Sequence, residues 1–191
     1  VEDLSFLNTL ATVEMRSGLA EMLKHGLIAD EDYWNRLHTL ENLVLDDLKS
    51  LIRESVAIKE SVVQQDPFEI NLRKSLNFGH TLGHAIESYF LEHAEKKKLL
   101  HGEAVAVGMV LAAYLSSEIE NFPRQHRDAI KKTIISLYQK VDFSVKDQEN
   151  IIELLKFDKK NEGGKINFVL LRKIGEPIVD REVPNNLIYN A

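Results

Sequence analysis

Between Ala104 and Ala112 the chain reads Ala-Val-Ala-Val-Gly-Met-Val-Leu-Ala, with no charged side chain on any face. A helix that is apolar all round must be enclosed all round, so this segment, beginning at His101, predicts a central helix that other elements surround. The stretch is too short and too alanine-rich to need a bilayer, and no other apolar run is long enough to span one. The periodicity elsewhere is helical almost throughout. Val13, Leu19, Met22 and Leu23 stripe a helix from Thr12 to about His25, with Gly26 at its C-cap. Asp30 is a suitable N-cap for a helix through Tyr33, Trp34 and Leu37. A long helix from Asp46 or Asp47 carries Leu48, Leu51, Ile52, Val56, Val62 and Val63, and must stop before Asp66-Pro67. Further helices are expected from Asn77 to about Leu91, from Pro123 to about Lys140, and from Ser144 or Asp147 to near Phe157. Only after Gly163-Gly164 does the period change, and Ile166–Leu171 and Ile174–Val183 predict a β-hairpin. The expected class is mainly α: a helical bundle-like domain, residues 1–191, with a small C-terminal β-hairpin.

With 191 residues and 44% hydrophobic content the chain can bury one sizeable core. The formal charge of −6 argues against a partner made of nucleic acid or anionic membrane. There is no cysteine, so a transition metal would have to sit on His, Asp or Glu. The Val1-Glu2-Asp3 start carries no basic n-region, and cytoplasm is the expected compartment.

The segment Leu76-Asn77-Phe78-Gly79-His80-Thr81-Leu82-Gly83-His84-Ala85-Ile86-Glu87, with Leu100-His101-Gly102-Glu103 after it, holds three of the seven histidines. His80 and His84 share one helical face. Gly79 and Gly83 leave space for a metal or ligand to approach the backbone. A third histidine opening the next helix suggests a nitrogen/oxygen metal site, for which two histidines and a glutamate form an established ligand set. Spacing leaves the acid open among Glu21, Glu87 and Glu103. On spacing alone Glu21 and Lys24 read as a solvated i,i+3 ion pair. Lys59, Glu69 and Arg73 read as surface charge around the Asp66-Pro67 break, Asp158 to Asn161 as a polar turn, and Lys96 to Lys98 as solvated. His25, His38, His93 and His126 carry no assigned role.

Taken in order, these segments resemble the C-terminal domain of the 3-dehydroquinate synthase family. Arg16 to Lys24 is similar to its R-x-G-x-A-E-x-x-K element, and Lys59 to Asp66 to its K-x-x-x-V-x-x-D stretch. Leu72-Arg73 and Leu76 to Glu87 resemble LR-x-x-LNFGHT-x-GHAIE, and His101 to Met109 resembles HGEAVAIGM. Asn71 departs from the family's usual glycine, a mild change because Asn tolerates a left-handed backbone. The resemblance implies that Glu21, His80 and His101 hold a divalent ion (Zn2+ or Co2+) and that His84 is a proton-transfer residue instead of a ligand. It implies that Lys24, Lys59, Glu69, Arg73, Asn77, His84 and one of Lys159 or Lys160 meet a small anionic sugar phosphate, with His84, Lys24 and Lys59 nearest the chemistry. The implied reaction converts 3-deoxy-arabino-heptulosonate 7-phosphate to 3-dehydroquinate and phosphate in the shikimate pathway, using NAD held by an N-terminal domain. No Gly-rich dinucleotide turn occurs in this sequence, so the chain is expected to lack that domain, to be inactive alone, and to form a homodimer when full-length. Competing readings are another sugar phosphate cyclase, an iron- or zinc-dependent alcohol or glycerol dehydrogenase-like enzyme, and a non-catalytic helical metal-binding module.

Overall fold

The computed structural model describes residues 3–40, 45–160 and 166–191, with backbone alone for 45–47 and 157–160. The chain forms α1 (Thr12–Ala29), α2 (Glu31–Leu37), α3 (Leu45–Gln65), α4 (His80–Glu92), α5 (His101–Ile119), α6 (Arg124–Leu137), α7 (Val145–Lys160) and α8 (Asn185–Asn190). Short 3-10 turns at Leu4–Thr9 and Leu72–Asn77 precede α1 and α4. The antiparallel hairpin is β1 (Asn167–Lys173) and β2 (Glu176–Glu182), turning at Gly175 with φ +81°. The expected class, mainly α with a C-terminal hairpin, is what the chain adopts.

The apolar helix α5 is central because it divides two buried clusters. Val105, Ala106, Met109, Ala112 and Ala113 face α1, α2, α3 and α6. Ala104 and Leu115 face the opposite cluster, built from α4, α7, α8 and the hairpin. By length and composition α5 could cross a membrane, which the sequence reading denied to every segment, and its enclosure inside the fold accounts for that composition. Strand β1 is divided in the same way. Val169 and Leu171 join the first cluster, Phe168 and Leu170 the second. A strand buried on both faces reads as a continuous apolar run.

Two glycine assignments change. Gly26 does not cap α1, which runs on to Ala29. It lies where a Cβ would stand 2.9 Å from the Trp34 Cα, so it lets α2 fold back onto α1. Gly79 and Gly83 do not leave space for a ligand. A Cβ on Gly83 would meet the Val105 Cα at 3.0 Å, and one on Gly79 the Met109 amide nitrogen at 2.9 Å. These glycines, with Gly108 opposite, let α4 and α5 cross nearly backbone to backbone.

Lys96, read as solvated, is also reassigned. Its ammonium lies 2.7 Å from Asp147 and above the rings of Tyr89 and Phe90. Asp147 also accepts from the Tyr89 hydroxyl at 2.7 Å and the Ser144 amide at 2.9 Å, while Ser144 Oγ accepts from the Asp147 amide. Ser144 is therefore the cap of α7, and Asp147 ties that helix to the end of α4. Burial by itself would raise the Asp147 carboxyl; the bonds from Lys96, Tyr89 and Ser144 outweigh it and hold the group well below the usual carboxylate range. Asp147→Ala is expected to cost about 2–3 kcal/mol at neutral pH, since it removes charge-assisted bonds and strands their donors. The stabilisation is fully present above the unfolded carboxyl pKa of about 4 and fades as pH falls below it. Thermal melts at pH 7 and pH 3 check this: the gap between wild type and variant should narrow in acid.

Candidate metal centre

Three helices converge on one point. Glu21 projects from the middle of α1, His80 and His84 from the first turns of α4, and His101 from the first position of α5. The helix expected from Asn77 begins instead at His80, because Gly79 adopts φ +79° and separates it from the preceding 3-10 turn. The three imidazoles lie with centroids 5.2–5.6 Å apart, and each offers a nitrogen within 4.8 Å of the others.

Local hydrogen bonds direct these rings. His80 Nδ1 lies 3.2 Å from the Phe78 carbonyl, and His101 Nδ1 lies 3.0 Å from Glu87 Oε2. Their Nε2 atoms are therefore the free ones, at 3.5 and 3.9 Å from Glu21 Oε1. That oxygen is buried and has no hydrogen-bond partner. A buried carboxylate oxygen without a hydrogen bond is costly, and one facing the Nε2 atoms of two imidazoles fits a divalent cation. The other two acids are engaged elsewhere: Glu87 orients His101, and Glu103 accepts from the Leu100 amide at the start of α5. Glu87, weighed above as a ligand, is placed as the carboxylate behind a histidine, an arrangement that orients the ring.

Glu21 and Lys24 are not a solvated pair. Lys24 is 2% exposed, and its ammonium sits 2.6 Å from Glu21 Oε2. Burial lowers the Lys24 pKa despite Glu21, and the charge of exposed Lys59 lowers it further. Burial would raise the Glu21 carboxyl, but His80 and Lys24 hold it well below the usual range. His25, left without a role, is buried beside them with Nδ1 2.7 Å from Ser55 Oγ. Burial first, and then the Lys24 charge, push it down to about 4, so it is neutral at physiological pH.

Glu69, Arg73 and Asn77 come together on the segment after α3. Asn77 Nδ2 donates to Glu69 Oε1 at 3.0 Å, Arg73 Nε lies 3.9 Å from Glu69 Oε2, and Arg73 Nη1 donates to the Pro67 carbonyl at 2.9 Å. The left-handed residue here is Glu69, φ 56°, and not Asn71, whose φ is −139°. Asp158 to Lys160 continue α7 instead of forming a turn. The Lys159 and Lys160 side chains, Asn161, Gly163 and Gly164 lie outside the described residues.

The profile of the family described as 3-dehydroquinate synthase C-terminal matches residues 18–161. A 3-dehydroquinate synthase of Parabacteroides distasonis is 42% identical over 191 residues, covering 99% of this chain and 54% of its own. One from a Thermoanaerobacter species is 41% identical over 172 residues, covering 88% and 47%. The chain spans about half the length of the curated relatives it matches. Among solved structures, the 2-epi-5-epi-valiolone synthase of Streptomyces hygroscopicus subsp. jinggangensis, with NAD+ and Zn2+ bound, superposes with a TM-score of 0.82. Its sequence identity is 25%, and the match covers 98% of this chain and 52% of that one. A 2-deoxy-scyllo-inosose synthase complexed with carbaglucose-6-phosphate, NAD+ and Co2+ shares the fold with a TM-score of 0.77 at 24% identity, covering 98% and 54%.

Proposed function

The chain belongs to the 3-dehydroquinate synthase family through its C-terminal domain, and from that premise we propose that it is the metal- and substrate-binding half of such an enzyme. The full-length protein would convert 3-deoxy-arabino-heptulosonate 7-phosphate to 3-dehydroquinate and phosphate, and this half alone would not turn over. The observation that carries the reading is the unpaired Glu21 Oε1 facing the Nε2 atoms of His80 and His101. Those three residues would hold a divalent ion, Zn2+ or Co2+, with His84 outside the ligand set. When bound, the ion supplies a Lewis acid and NAD supplies hydride acceptance and return.

The chain's own residues supply the rest. Lys24 and Lys59 are neighbouring cations and Arg73 stands on the segment after α3, a set suited to a substrate that is anionic at both ends. Lys24, buried and ion-paired, is pre-positioned, so little side-chain freedom is lost on binding. Asn77 and Glu69 offer a donor and an acceptor to ring hydroxyls. His84, exposed beside His80 and His101, would take or return a proton. The fold shared with two other carbocycle-forming synthases makes a different sugar phosphate cyclase the second reading.

Phosphate release by the full-length protein with NAD, Zn2+ and the heptulosonate phosphate tests the assignment. Lys59→Ala and Arg73→Ala are each expected to lower kcat/KM at least about tenfold, since a charge-assisted bond contributes roughly 1.5–3 kcal/mol. Wild-type efficiency in both variants would return the two residues to surface charge. Turnover of another sugar phosphate, but not this one, would favour the second reading.

A further inference from the structure

The stretch around Glu69, which leads into the 3-10 turn carrying Arg73 and Asn77, has little apolar support. Phe68 is 83% exposed and Ile70 62% exposed. Glu69 is held at φ 56°, a region that non-glycine residues rarely occupy. Asn71 sits at φ −139°, ψ −91°, also outside the common regions. A segment with exposed side chains and unfavourable backbone angles persists only where its polar groups are tied down. Here three backbone amides are tied to one carboxylate. Asp66, the first residue after α3, accepts from the amide of Ile70 at 3.0 Å, of Asn71 at 2.7 Å and of Arg73 at 3.0 Å. Those bonds also hold its carboxyl below the usual range.

We infer that Asp66 is a positioning residue for the substrate site. Its carboxylate gathers three amides around the end of α3 and so holds Glu69, Arg73 and Asn77 in the arrangement that receives the sugar phosphate. The inference rests on the proposed function. Asp66 touches neither the metal ligands nor the reacting atoms in this account, and it acts through the backbone of the loop. Without it, the substrate must order the loop as it binds. That cost falls on KM, while the bound complex and its kcat stay close to wild type.

The test uses the full-length protein with Zn2+, NAD and 3-deoxy-arabino-heptulosonate 7-phosphate. Asp66→Ala is expected to raise KM by roughly tenfold or more, with kcat within about threefold of wild type and zinc content unchanged. Asp66→Asn keeps one accepting oxygen and should fall between the two. Amide hydrogen exchange at Ile70, Asn71 and Arg73 should quicken in Asp66→Ala. An unchanged KM in Asp66→Ala overturns the inference while leaving the proposed function standing. So does a parallel loss of kcat, KM and zinc, which marks general destabilisation. A wild-type protein without turnover on this substrate removes the proposed function, and this inference with it.

Discussion

Full-length protein carrying His101→Ala is expected to lose stoichiometric zinc, and its rate with it. Three contributions meet at this side chain. It opens α5, its Nδ1 is bonded to Glu87, and its Nε2 faces the unpaired oxygen of Glu21. Removing an orienting partner behind a ligand typically lowers metal affinity 10–100-fold. Glu87→Gln should fall in that range, and His101→Ala beyond it, by more than about a hundredfold. Because a Lewis acid contributes several kcal/mol to such chemistry, kcat/KM should fall by about a thousandfold or more. His84→Ala should keep its zinc and lose rate only. Metal analysis after dialysis, beside phosphate release, checks all three. Zinc lost from His84→Ala but kept in His101→Ala would reverse the ligand assignment.

The second large effect is structural. A Cβ built on Gly108 would stand 2.0 Å from the Gly79 carbonyl oxygen and 2.9 Å from the Gly83 amide nitrogen. Both obstacles are backbone, so no rotamer change relieves them, and α4 and α5 must separate. Overpacking ordinarily costs about 1–3 kcal/mol, and a clash this deep should cost about 3 kcal/mol or more. Gly79 directly precedes His80, so the same displacement should spread the imidazole cluster and weaken zinc binding. Gly18→Ala is the contrast. Nothing lies within 4 Å of its added Cβ, and it sits inside α1, so a gain of about 0.5–1 kcal/mol is expected. Melting curves of the two variants should therefore move in opposite directions. A wild-type melting temperature for Gly108→Ala would contradict the close crossing.

These contrasts show what was legible in the chain. The all-round apolar pattern of α5 announced a central helix, because enclosure is the one environment that pattern suits. The hairpin was legible through its change of period, and the histidines through their spacing. What spacing could not convey was which distant element faces each side chain. Gly79 and Gly83 looked like space for a ligand because their close neighbour, α5, is a tertiary contact. Lys96 looked solvated within a lysine run because its partner Asp147 lies on another helix. Glu21, Glu87 and Glu103 were equivalent by spacing, the family motif alone naming Glu21, and what each oxygen meets is set only once α1, α4 and α5 pack. Asn77, the last residue of the 3-10 turn, was assigned to α4 because the left-handed Gly79 between them is a backbone event. The six-residue α8, opened by Pro184, is too short to establish a period.

The central claim is that Glu21, His80 and His101 hold a divalent ion where α1, α4 and α5 meet. An anomalous difference map at the zinc edge, from crystals of the full-length protein grown with Zn2+, tests it most directly. The account predicts one strong peak about 2.0–2.2 Å from Glu21 Oε1 and from the Nε2 atoms of His80 and His101, with His84 outside bonding distance. A peak bonded to His84, with Glu21 still paired to Lys24 alone, would contradict it.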